Sequence, residues 1–318
     1  MAYDIIGDIH GQADKLHALL AQLGYRESNG AYRHTSGAGR TAVFVGDFID
    51  RGPRQIDSVM TVRRMLDAGS AMAVMGNHEF NAIAWHTPDP EQPLKFLRPH
   101  GGVRGPNNHR QHEAFLAEVE GKPALHAELV NWFLTLPLWL DLPGLRVVHA
   151  CWHDGYMAEL RPYLTPALQL TPELIVAASR KGQMSFRTVE GLTKGLEIRL
   201  PDGHSFQDKD GHTRHEVRIR WWDTQAMSYR DLAIMPQEAT RQKLPDVRIE
   251  GDMRVPYDNL KPVFFGHYWM MGKPKQLSST AACVDYSAAK DGPLVAYCWD
   301  GEPVLDDRNF VAVGGSCG

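Results

Sequence analysis

Short apolar runs alternate with helically spaced apolar residues three times in the first ninety positions of the chain. Strands are predicted where the runs occur, at residues 3–6, 41–45 and 71–75. Helices are predicted where apolar residues recur every three or four positions, over residues 16–23, 56–66 and a segment ending at residue 85. A glycine follows each strand, and a polar loop then leads into the helix. Three such units in succession predict an α/β fold with helices on the faces of a sheet.

The remaining pattern is less regular. Residues 88–106 are rich in Pro and Gly and predict a loop or lid. Further helices are predicted at residues 111–120, 124–135 and 172–180. Further strands are predicted at residues 138–140, 145–148, 217–222, 262–265, 281–285 and 294–299. Turns are predicted at residues 201–203, 208–211 and 300–301.

The weakest periodicity lies in the middle of the chain, between residues 156 and 260. We therefore predict one main domain, formed by residues 1–155 and 261–318. Residues 156–260 are predicted to be an insertion or cap, whose structure the pattern does not define. The adjacent aromatic residues Trp221 and Trp222 are interpreted as core residues rather than as a platform for substrate.

Composition narrows the class of protein. The formal net charge is −4, so the chain lacks the basic field that binding to nucleic acid favours. Its four Cys residues show no C-x-x-C spacing, which favours a reduced protein inside the cell. No apolar run approaches the roughly twenty residues needed to span a bilayer. We expect a cytoplasmic protein that does not bind membranes.

Oxygen and imidazole side chains follow five of the predicted strands. They are Asp8 and His10, then Asp47, Asn77, His149 and His267. This donor set lacks thiolates and suits divalent ions such as Mn²⁺, Fe²⁺ or Zn²⁺. Because one carboxylate can bridge two ions, we expect a pair of ions with Asp47 between them. Asp8 and His10 would complete the first ion, and the other three residues would complete the second.

Neighbouring residues can supply the rest of a phosphoryl-transfer site. A pair of metal ions lowers the pKa of a shared water and holds it as hydroxide. His78 can protonate a leaving oxygen, Asp50 can orient His78, and Arg51 can hold phosphate oxygens with its forked guanidinium. The alternative for Asp50 is a cap on the next helix. Four further histidines are candidates for the surroundings of the pocket: His86, His109, His112 and His153.

Three sequence blocks resemble a known family. Gly7-Asp8-Ile9-His10-Gly11, Gly46-Asp47-Phe48-Ile49-Asp50-Arg51-Gly52 and Gly76-Asn77-His78-Glu79 are similar to the signature blocks of the calcineurin-like metallophosphoesterases. Asp50-Arg51-Gly52 points to the phosphoprotein-phosphatase branch, which includes Ser/Thr phosphatases and bacterial diadenosine tetraphosphatases. The resemblance is closest over residues 3–86.

The resemblance implies a four-layer α/β/β/α sandwich with a dinuclear site at one edge of its two sheets. It implies the same residue roles, with Mn²⁺ as the expected ion and Fe²⁺, Fe³⁺, Zn²⁺, Ni²⁺ or Co²⁺ as alternatives. Relatives also use a second phosphate-binding arginine from mid-chain, for which Arg220, Arg230 and others are available, and the sequence matches none of them in particular.

The expected function is hydrolysis of a phosphomonoester, on a phosphoprotein or a small molecule. A metal-bridging hydroxide attacks phosphorus, and His78 acts as general acid. The alternative is hydrolysis of a dinucleoside polyphosphate of the diadenosine tetraphosphate type. Asp50-Arg51 argues against a phosphodiesterase or nuclease, because related diesterases commonly lack that pair. The presence of every expected donor argues against a catalytically silent scaffold.

Overall fold

The computed structural model of the protein describes residues 1–207, 212–235, 238–249 and 257–315. The turn predicted at residues 208–211 lies outside these ranges. Within them, no helix combines the length and the apolar character that crossing a bilayer requires.

The strands and helices follow in chain order. The strands are β1 Ala2–Ile6, β2 Tyr25–Ser28, β3 Ala31–His34, β4 Arg40–Phe44, β5 Ala71–Ala73, β6 Pro88–Asp89, β7 Gln92–Phe96, β8 Trp139–Leu142, β9 Leu145–Val148, β10 Glu197–Arg199, β11 Phe206–Gln207, β12 Thr213–Arg214, β13 Glu216–Arg218, β14 Val263–Phe265, β15 Ala281–Cys283, β16 Leu294–Trp299 and β17 Phe310–Val313. The α-helices are α1 Ala13–Gln22, α2 Gln55–Asp67, α3 Asn77–His86, α4 Gly105–Val119, α5 Pro123–Phe133, α6 Asp154–Leu160, α7 Pro172–Ala178, α8 Met184–Lys194, α9 Tyr229–Leu232 and α10 Glu238–Arg241. Short 3-10 helices lie at Gly37–Gly39, Arg161–Tyr163 and Asp307–Asn309.

The larger sheet has the strand order β17-β16-β1-β4-β5. Strands β1, β4 and β5 are parallel, because a helix connects each to the next. Strand β16 pairs antiparallel with β1, and β17 pairs antiparallel with β16. The connection between β16 and β17 spans residues 300–309, so the tight hairpin turn predicted at residues 300–301 is wrong.

The smaller sheet has the order β15-β14-β9-β8 and packs face to face on the larger one. Alternating residues of both sheets form the apolar layer between them, including Ile5, Val43, Val147, Phe264 and Tyr297. The opposite face of the larger sheet carries Ile6 and Phe44, which belong to the same apolar cluster as helices α1 and α2. The resulting α/β/β/α sandwich confirms the predicted fold class.

The loop predicted at residues 88–106 is present only at residues 97–104. The segment also contains a hairpin of β6 and β7, and helix α4 already begins at Gly105. The Asp89 carboxylate orders the turn, because it accepts a hydrogen bond from the Glu91 amide at 2.9 Å. The same carboxylate is held by two hydrogen bonds from Arg180, at 2.6 and 2.9 Å.

The middle of the chain folds against the smaller sheet. The Ala150 amide donates a hydrogen bond to the carbonyl of Leu192 in α8, at 3.0 Å. The rings of Trp221 and Trp222 lie 4.9 and 5.0 Å from the ring of Phe265, and both residues are buried. Their interpretation as core residues is therefore correct. The division into a main domain and a cap at residues 156–260 stays a prediction.

Candidate metal centre

Residues at the carboxyl ends of five strands converge at one edge of the sandwich. Three of these strands, β1, β4 and β5, belong to the larger sheet, and β9 and β14 belong to the smaller one. They deliver the predicted donors Asp8, His10, Asp47, Asn77, His149 and His267. All six are buried except His267, which is half-buried. A centre at this edge has donors from both sheets.

The Asp47 carboxylate belongs to two clusters of potential metal ligands. His10, Asp47 and His78 form one cluster, and Asp47, His149 and His267 form the other. In each cluster, the ligand atoms lie within 4.8 Å of one another. The Nε2 atoms of His149, His10 and His78 lie 3.3, 3.7 and 3.9 Å from Asp47 Oδ2. One carboxylate is thus common to both clusters.

Asp8 lies outside both clusters, and the side-chain oxygen of Asn77 lies next to the second. Asp8 Oδ2 accepts a hydrogen bond from the amide of His267 at 3.0 Å, and its buried Oδ1 has no hydrogen-bond partner among the described residues. A Cβ at residue 266 would come within 1.9 Å of this Oδ1, so only glycine fits there. Asn77 Oδ1 lies 3.2 Å from His149 Nε2. His78, and not Asp8, accompanies His10 and Asp47 in the first cluster.

Backbone carbonyls fix the orientation of two imidazole rings. His10 Nδ1 donates to the carbonyl of Ile49 at 2.9 Å, and His149 Nδ1 donates to the carbonyl of Val45 at 2.7 Å. Each ring therefore turns its Nε2 toward Asp47, the arrangement typical of metal-ligating histidines. The buried His10 Nε2 has no hydrogen-bond partner in the part of the chain that the structure describes. These unpaired atoms fit a site for divalent cations.

The electrostatics of the edge also favour cations. Burial, and then repulsion from Asp285, raise the pKa of Asp8 well above its usual range. Burial lowers the pKa of His149, but attraction to Asp47 and Asp8 outweighs burial and raises that pKa to about 10. Burial lowers the pKa of His10 to about 4, so its imidazole is neutral and free to ligate. Buried carboxylates of like charge are stabilised by a bound cation.

Asp50 lies between two histidines. Its Oδ2 accepts a hydrogen bond from His78 Nδ1 at 2.5 Å, and its Oδ1 accepts one from His112 Nδ1 at 2.8 Å. Burial opposes ionisation of Asp50, but His112 and His78 hold the pKa of this carboxyl well below its usual value. Burial lowers the pKa of His78, while Asp47 and Asp50 raise it above its ordinary value. The predicted contact between Asp50 and His78 is present.

The alternative reading of Asp50 as a helix cap is wrong. Helix α2 begins at Gln55, after an N-cap at Arg54 that has no side-chain hydrogen bond. The carboxylate of Glu118, from α4, accepts a hydrogen bond from the Ile56 amide at 3.0 Å and a second one from the Gln55 amide.

The Glu79 carboxylate links the loop that follows β4 to the loop that precedes α3. This buried carboxylate accepts hydrogen bonds from the amides of Asp47 and Phe48 at 2.8 Å each, and from the amide of Gly76 at 3.0 Å. Sequence reasoning gave Glu79 no role. The sequence marks Glu79 only by its position one residue after His78, in the block Gly76-Asn77-His78-Glu79.

The loops of the site contain many non-glycine residues in the left-handed backbone region. They are His10, Asp47, Asp50, Arg51, His267, Trp269 and Ser287, with φ between 47 and 79°. Such conformations cost of order 1–3 kcal/mol each and persist only where the surroundings hold them. Hydrogen bonds such as those of Glu79 therefore support the functional geometry.

Two arginines flank the clusters. The guanidinium of the exposed Arg51 lies 4.5 Å from the ring centroid of Trp269, whose ring lies 6.1 Å from that of His10. Arg218 Nη1 lies 3.3 Å from His267 Nε2, and its Nη2 lies 3.1 Å from Glu197. Arg51 is thus beside the first cluster and Arg218 beside the second.

The other residues proposed from the sequence lie elsewhere. Arg220 hydrogen bonds to the carbonyl of Asp231, and Arg230 hydrogen bonds to the carbonyl of Leu244. Among the four candidate histidines, only His112 has a described hydrogen bond to a predicted catalytic residue. The His86 ring lies 4.5 Å from that of His126, His109 lies 6.1 Å from Trp85, and His153 stacks on Tyr156.

The sequence signature of the calcineurin-like phosphoesterases matches residues 1–176. The chain therefore belongs to that family, whose members use divalent metal ions, and the His and Asp clusters fit such ions.

Curated relatives are nucleotide hydrolases by name. Bis(5'-nucleosyl)-tetraphosphatase PrpE (asymmetrical) of Oceanobacillus iheyensis is 44% identical over 155 residues, which are 49% of this chain and 56% of that protein. Its counterpart from Bacillus subtilis is 46% identical over 78 residues, 24% of this chain and 31% of that protein. These matches span less than two thirds of both relatives. The symmetrical bis(5'-nucleosyl)-tetraphosphatase of Vibrio vulnificus is 22% identical, over 97% of this chain and 98% of that protein.

A solved structure has the same fold. A protein serine/threonine phosphatase from Saccharomyces cerevisiae superposes with a TM-score of 0.50 at 16% identity, covering 100% of this chain and 81% of that one. At this level of identity the likeness concerns the fold alone.

Proposed function

We propose that the protein is a dinuclear metal-dependent hydrolase that cleaves a phosphoanhydride bond of a dinucleoside polyphosphate. The observation that carries this proposal is the Asp47 carboxylate, shared by two ligand clusters with an arginine beside each. A chain of phosphates carries several negative charges in a row, so cations on both sides of the clusters suit it.

The residues that would hold two divalent ions are those predicted from the sequence. Asp8 and His10 would serve one ion, Asn77, His149 and His267 the other, and Asp47 both. When bound, such ions supply a water of lowered pKa and positive charge for phosphate oxygens. Mn²⁺ remains the first choice because the donors are oxygen and imidazole.

The other residues handle the proton and the phosphate. His78 is the proposed general acid, since Asp50 fixes its Nδ1 and leaves Nε2 facing the space between the clusters. Arg51 and Arg218 are the proposed phosphate-binding cations. We assign the role of second phosphate-binding arginine to Arg218 rather than to Arg220 or Arg230, because Arg218 contacts His267.

The names of the relatives favour a dinucleoside polyphosphate over a phosphomonoester as the substrate. The curated relatives described above are bis(5'-nucleosyl)-tetraphosphatases, and one of them matches nearly the whole chain. A phosphomonoester on a protein or small molecule remains the competing substrate. Both substrates need the same centre, so the choice between them rests on what binds the rest of the molecule.

A substrate panel on the Mn²⁺-loaded protein tests the proposal. We expect the highest kcat/KM with diadenosine tetraphosphate, and lower values with a phosphopeptide, p-nitrophenyl phosphate and a cyclic nucleotide. A preference for the phosphopeptide would restore the phosphomonoester reading. Turnover of none of the four would contradict a working phosphoesterase.

Replacing the shared carboxylate tests the dinuclear site. Asp47→Asn removes the charge common to both clusters, so we expect loss of both metal ions and of turnover. Metal content after dialysis, by inductively coupled plasma mass spectrometry, is the measurement. Asp67→Asn, at a side chain 67% exposed, is the matched control. Near-normal turnover of Asp47→Asn with a full metal load would exclude the assignment.

A further inference from the structure

A cleft beside the proposed centre has no assigned role. It lies between helices α6 and α8 and strands β10 and β13, with a volume of about 350 Å³. Its lining includes Tyr156, Lys181, Phe186, Glu190 and Arg218. Pockets for small ligands begin at roughly 300 Å³, so the cleft has room for one small molecule and little more.

Arg218 connects this cleft to the metal centre. Its Nη1 contacts His267 Nε2 at 3.3 Å, while the same side chain lines the cleft. The Arg218 side chain is 34% exposed, so a ligand in the cleft can reach it. A phosphate held between the clusters and Arg218 therefore has the rest of its molecule directed toward the cleft.

The aromatic side chains that line the cleft can accommodate a flat ring. Phe186 is half-buried, and its ring makes no ring contact with another aromatic residue in the described ranges. The Tyr156 ring is held parallel to the His153 ring, with centroids 3.7 Å apart. A Cβ at residue 191 would lie 2.5 Å from Tyr156 Cε2, so Gly191 allows the Tyr156 ring to pack directly against α8. Aromatic side chains of this kind bind nucleobases by stacking.

The polar groups of the cleft have both signs. Lys194 pairs with Glu190, and Arg218 pairs with Glu197 at 3.1 Å. The exposed Lys181 has no ion pair with any described residue, so its ammonium group is available to a ligand. The carboxylates can accept hydrogen bonds from ribose hydroxyls, and the cations can contact phosphate.

We propose that this cleft binds one nucleoside end of a dinucleoside polyphosphate, with the nucleobase against Phe186 and the adjoining phosphate at Arg218. The inference rests on the proposed function and extends it by naming the part of the substrate that the chain selects. A peptide needs a longer groove than this cleft offers.

Phe186→Ala tests the proposal in the Mn²⁺-loaded full chain. We expect AMP to bind about tenfold more weakly by calorimetry, and KM for diadenosine tetraphosphate to rise by about tenfold, because a stacking surface is lost. Kinetics with p-nitrophenyl phosphate should stay within about twofold, because that substrate has no nucleoside. Phe186→Trp keeps an aromatic ring and should retain the affinity for AMP. Tyr163→Ala, at an aromatic residue that is 55% exposed and lines a different groove, is the control.

The outcomes distinguish an error in the proposed nucleoside site from an error in the proposed substrate. If AMP binds the Phe186→Ala protein as tightly as wild type, the cleft is not the nucleoside site. If AMP binding depends on Phe186 but diadenosine tetraphosphate is not hydrolysed, the cleft assignment stands and the proposed substrate is wrong.

A second inference concerns His112, which is buried in α4. We infer that His112 is a positioning residue for the proposed acid. Asp50 holds His78 through one carboxylate oxygen and accepts a hydrogen bond from His112 at 2.8 Å through the other. Without His112, the Asp50 carboxylate loses the contact that fixes its rotation. The inference rests on the proposed role of His78 and Asp50.

Leaving-group dependence distinguishes positioning from folding. His112→Leu should lower kcat about tenfold with phenyl phosphate and hardly at all with p-nitrophenyl phosphate, whose leaving group needs little protonation. His112→Asn keeps a side-chain N–H for Asp50 and should recover most of the rate. Equal losses with both substrates would make His112 merely structural. If His78→Ala lowered kcat equally with both substrates, His78 would not be the general acid.

Discussion

The imidazole of His78 has one nitrogen held by Asp50 and the other 3.9 Å from Asp47. This geometry permits either a general acid or a metal ligand. For His78→Ala we expect kcat to fall by roughly 10²–10⁴, because proton donation is lost while the metal ions stay bound. Turnover and metal content, measured on the same sample, check this. Metal lost in step with activity would make His78 a ligand.

Trp269 fixes the position of Arg51. Its ring lies 4.5 Å from the Arg51 guanidinium and 4.5 Å from the Lys290 ammonium. Cation–π contacts contribute about 0.5–2 kcal/mol, so Trp269→Leu should raise KM for p-nitrophenyl phosphate by roughly two- to thirtyfold. Lys290→Gln leaves the contact between Arg51 and Trp269 intact and should change KM by less than about twofold. Unchanged KM in Trp269→Leu would remove this positioning role.

The predictability of the site residues follows from their place in the chain. Asp8, His10 and Asp47 lie within four residues of a buried apolar strand, so local pattern alone marks them. His112 lies inside an amphipathic helix, where a histidine has no distinguishing neighbour. Arg218, at the end of β13, meets His267, which follows β14, in a long-range contact that no local pattern encodes.

Arg180 holds the hairpin of β6 and β7 through the carboxylates of Asp89 and Glu91. Asp89 is 4% exposed and accepts two hydrogen bonds from Arg180, which follows helix α7. Arg180→Gln leaves this carboxylate without its cation, so we expect faster proteolysis within residues 88–96. Limited trypsin digestion of the native protein is the measurement. Arg308→Gln breaks an exposed pair and should leave the digestion rate unchanged. Equal digestion rates for Arg180→Gln and wild type would show that the contact between Arg180 and Asp89 does not hold the hairpin in place.

Strands buried on both faces were predictable, and exposed ones were not. Strands β1, β4, β9 and β16 are mostly apolar, and their predicted bounds agree with the structure within one residue. The hairpin strand β7 is mostly exposed and contains Pro93, which reads as a loop. Helix α8 carries Gly191 and several polar residues, and its burial comes from tertiary packing.

The packing between the two sheets should contribute strongly to stability. Phe264 is fully buried there, with its ring 5.0 Å from that of Tyr297. Phe264→Ala leaves a cavity, and we expect the free energy of unfolding to fall by about 3–5 kcal/mol. Urea denaturation measures the change. Leu94→Ala, at a side chain 99% exposed, should change it by less than about 0.5 kcal/mol. A loss below about 1 kcal/mol for Phe264→Ala would argue against a tightly packed layer.

The four-layer arrangement was predictable only through resemblance. Alternating strands and helices indicated a sheet covered by helices, and this holds for β1, β4 and β5. Nothing in the spacing of residues 145–148 or 262–265 specifies a second sheet, because periodicity does not identify the pairing partner of a strand. Pairing of β9 with β14 joins segments more than a hundred residues apart.

The pairing of β1 with β16 has a consequence for synthesis of the chain. Ile5 lies opposite Tyr297, so one edge of the first strand has no partner until the ribosome has translated about 290 further residues. At about 5–20 residues per second, a ribosome needs roughly 15–60 s to cover that interval. An open strand edge is a template for association with other chains, so the nascent polypeptide needs protection during that time. Slower translation lengthens that exposure, whereas fully synthesised chains can close the edge at once.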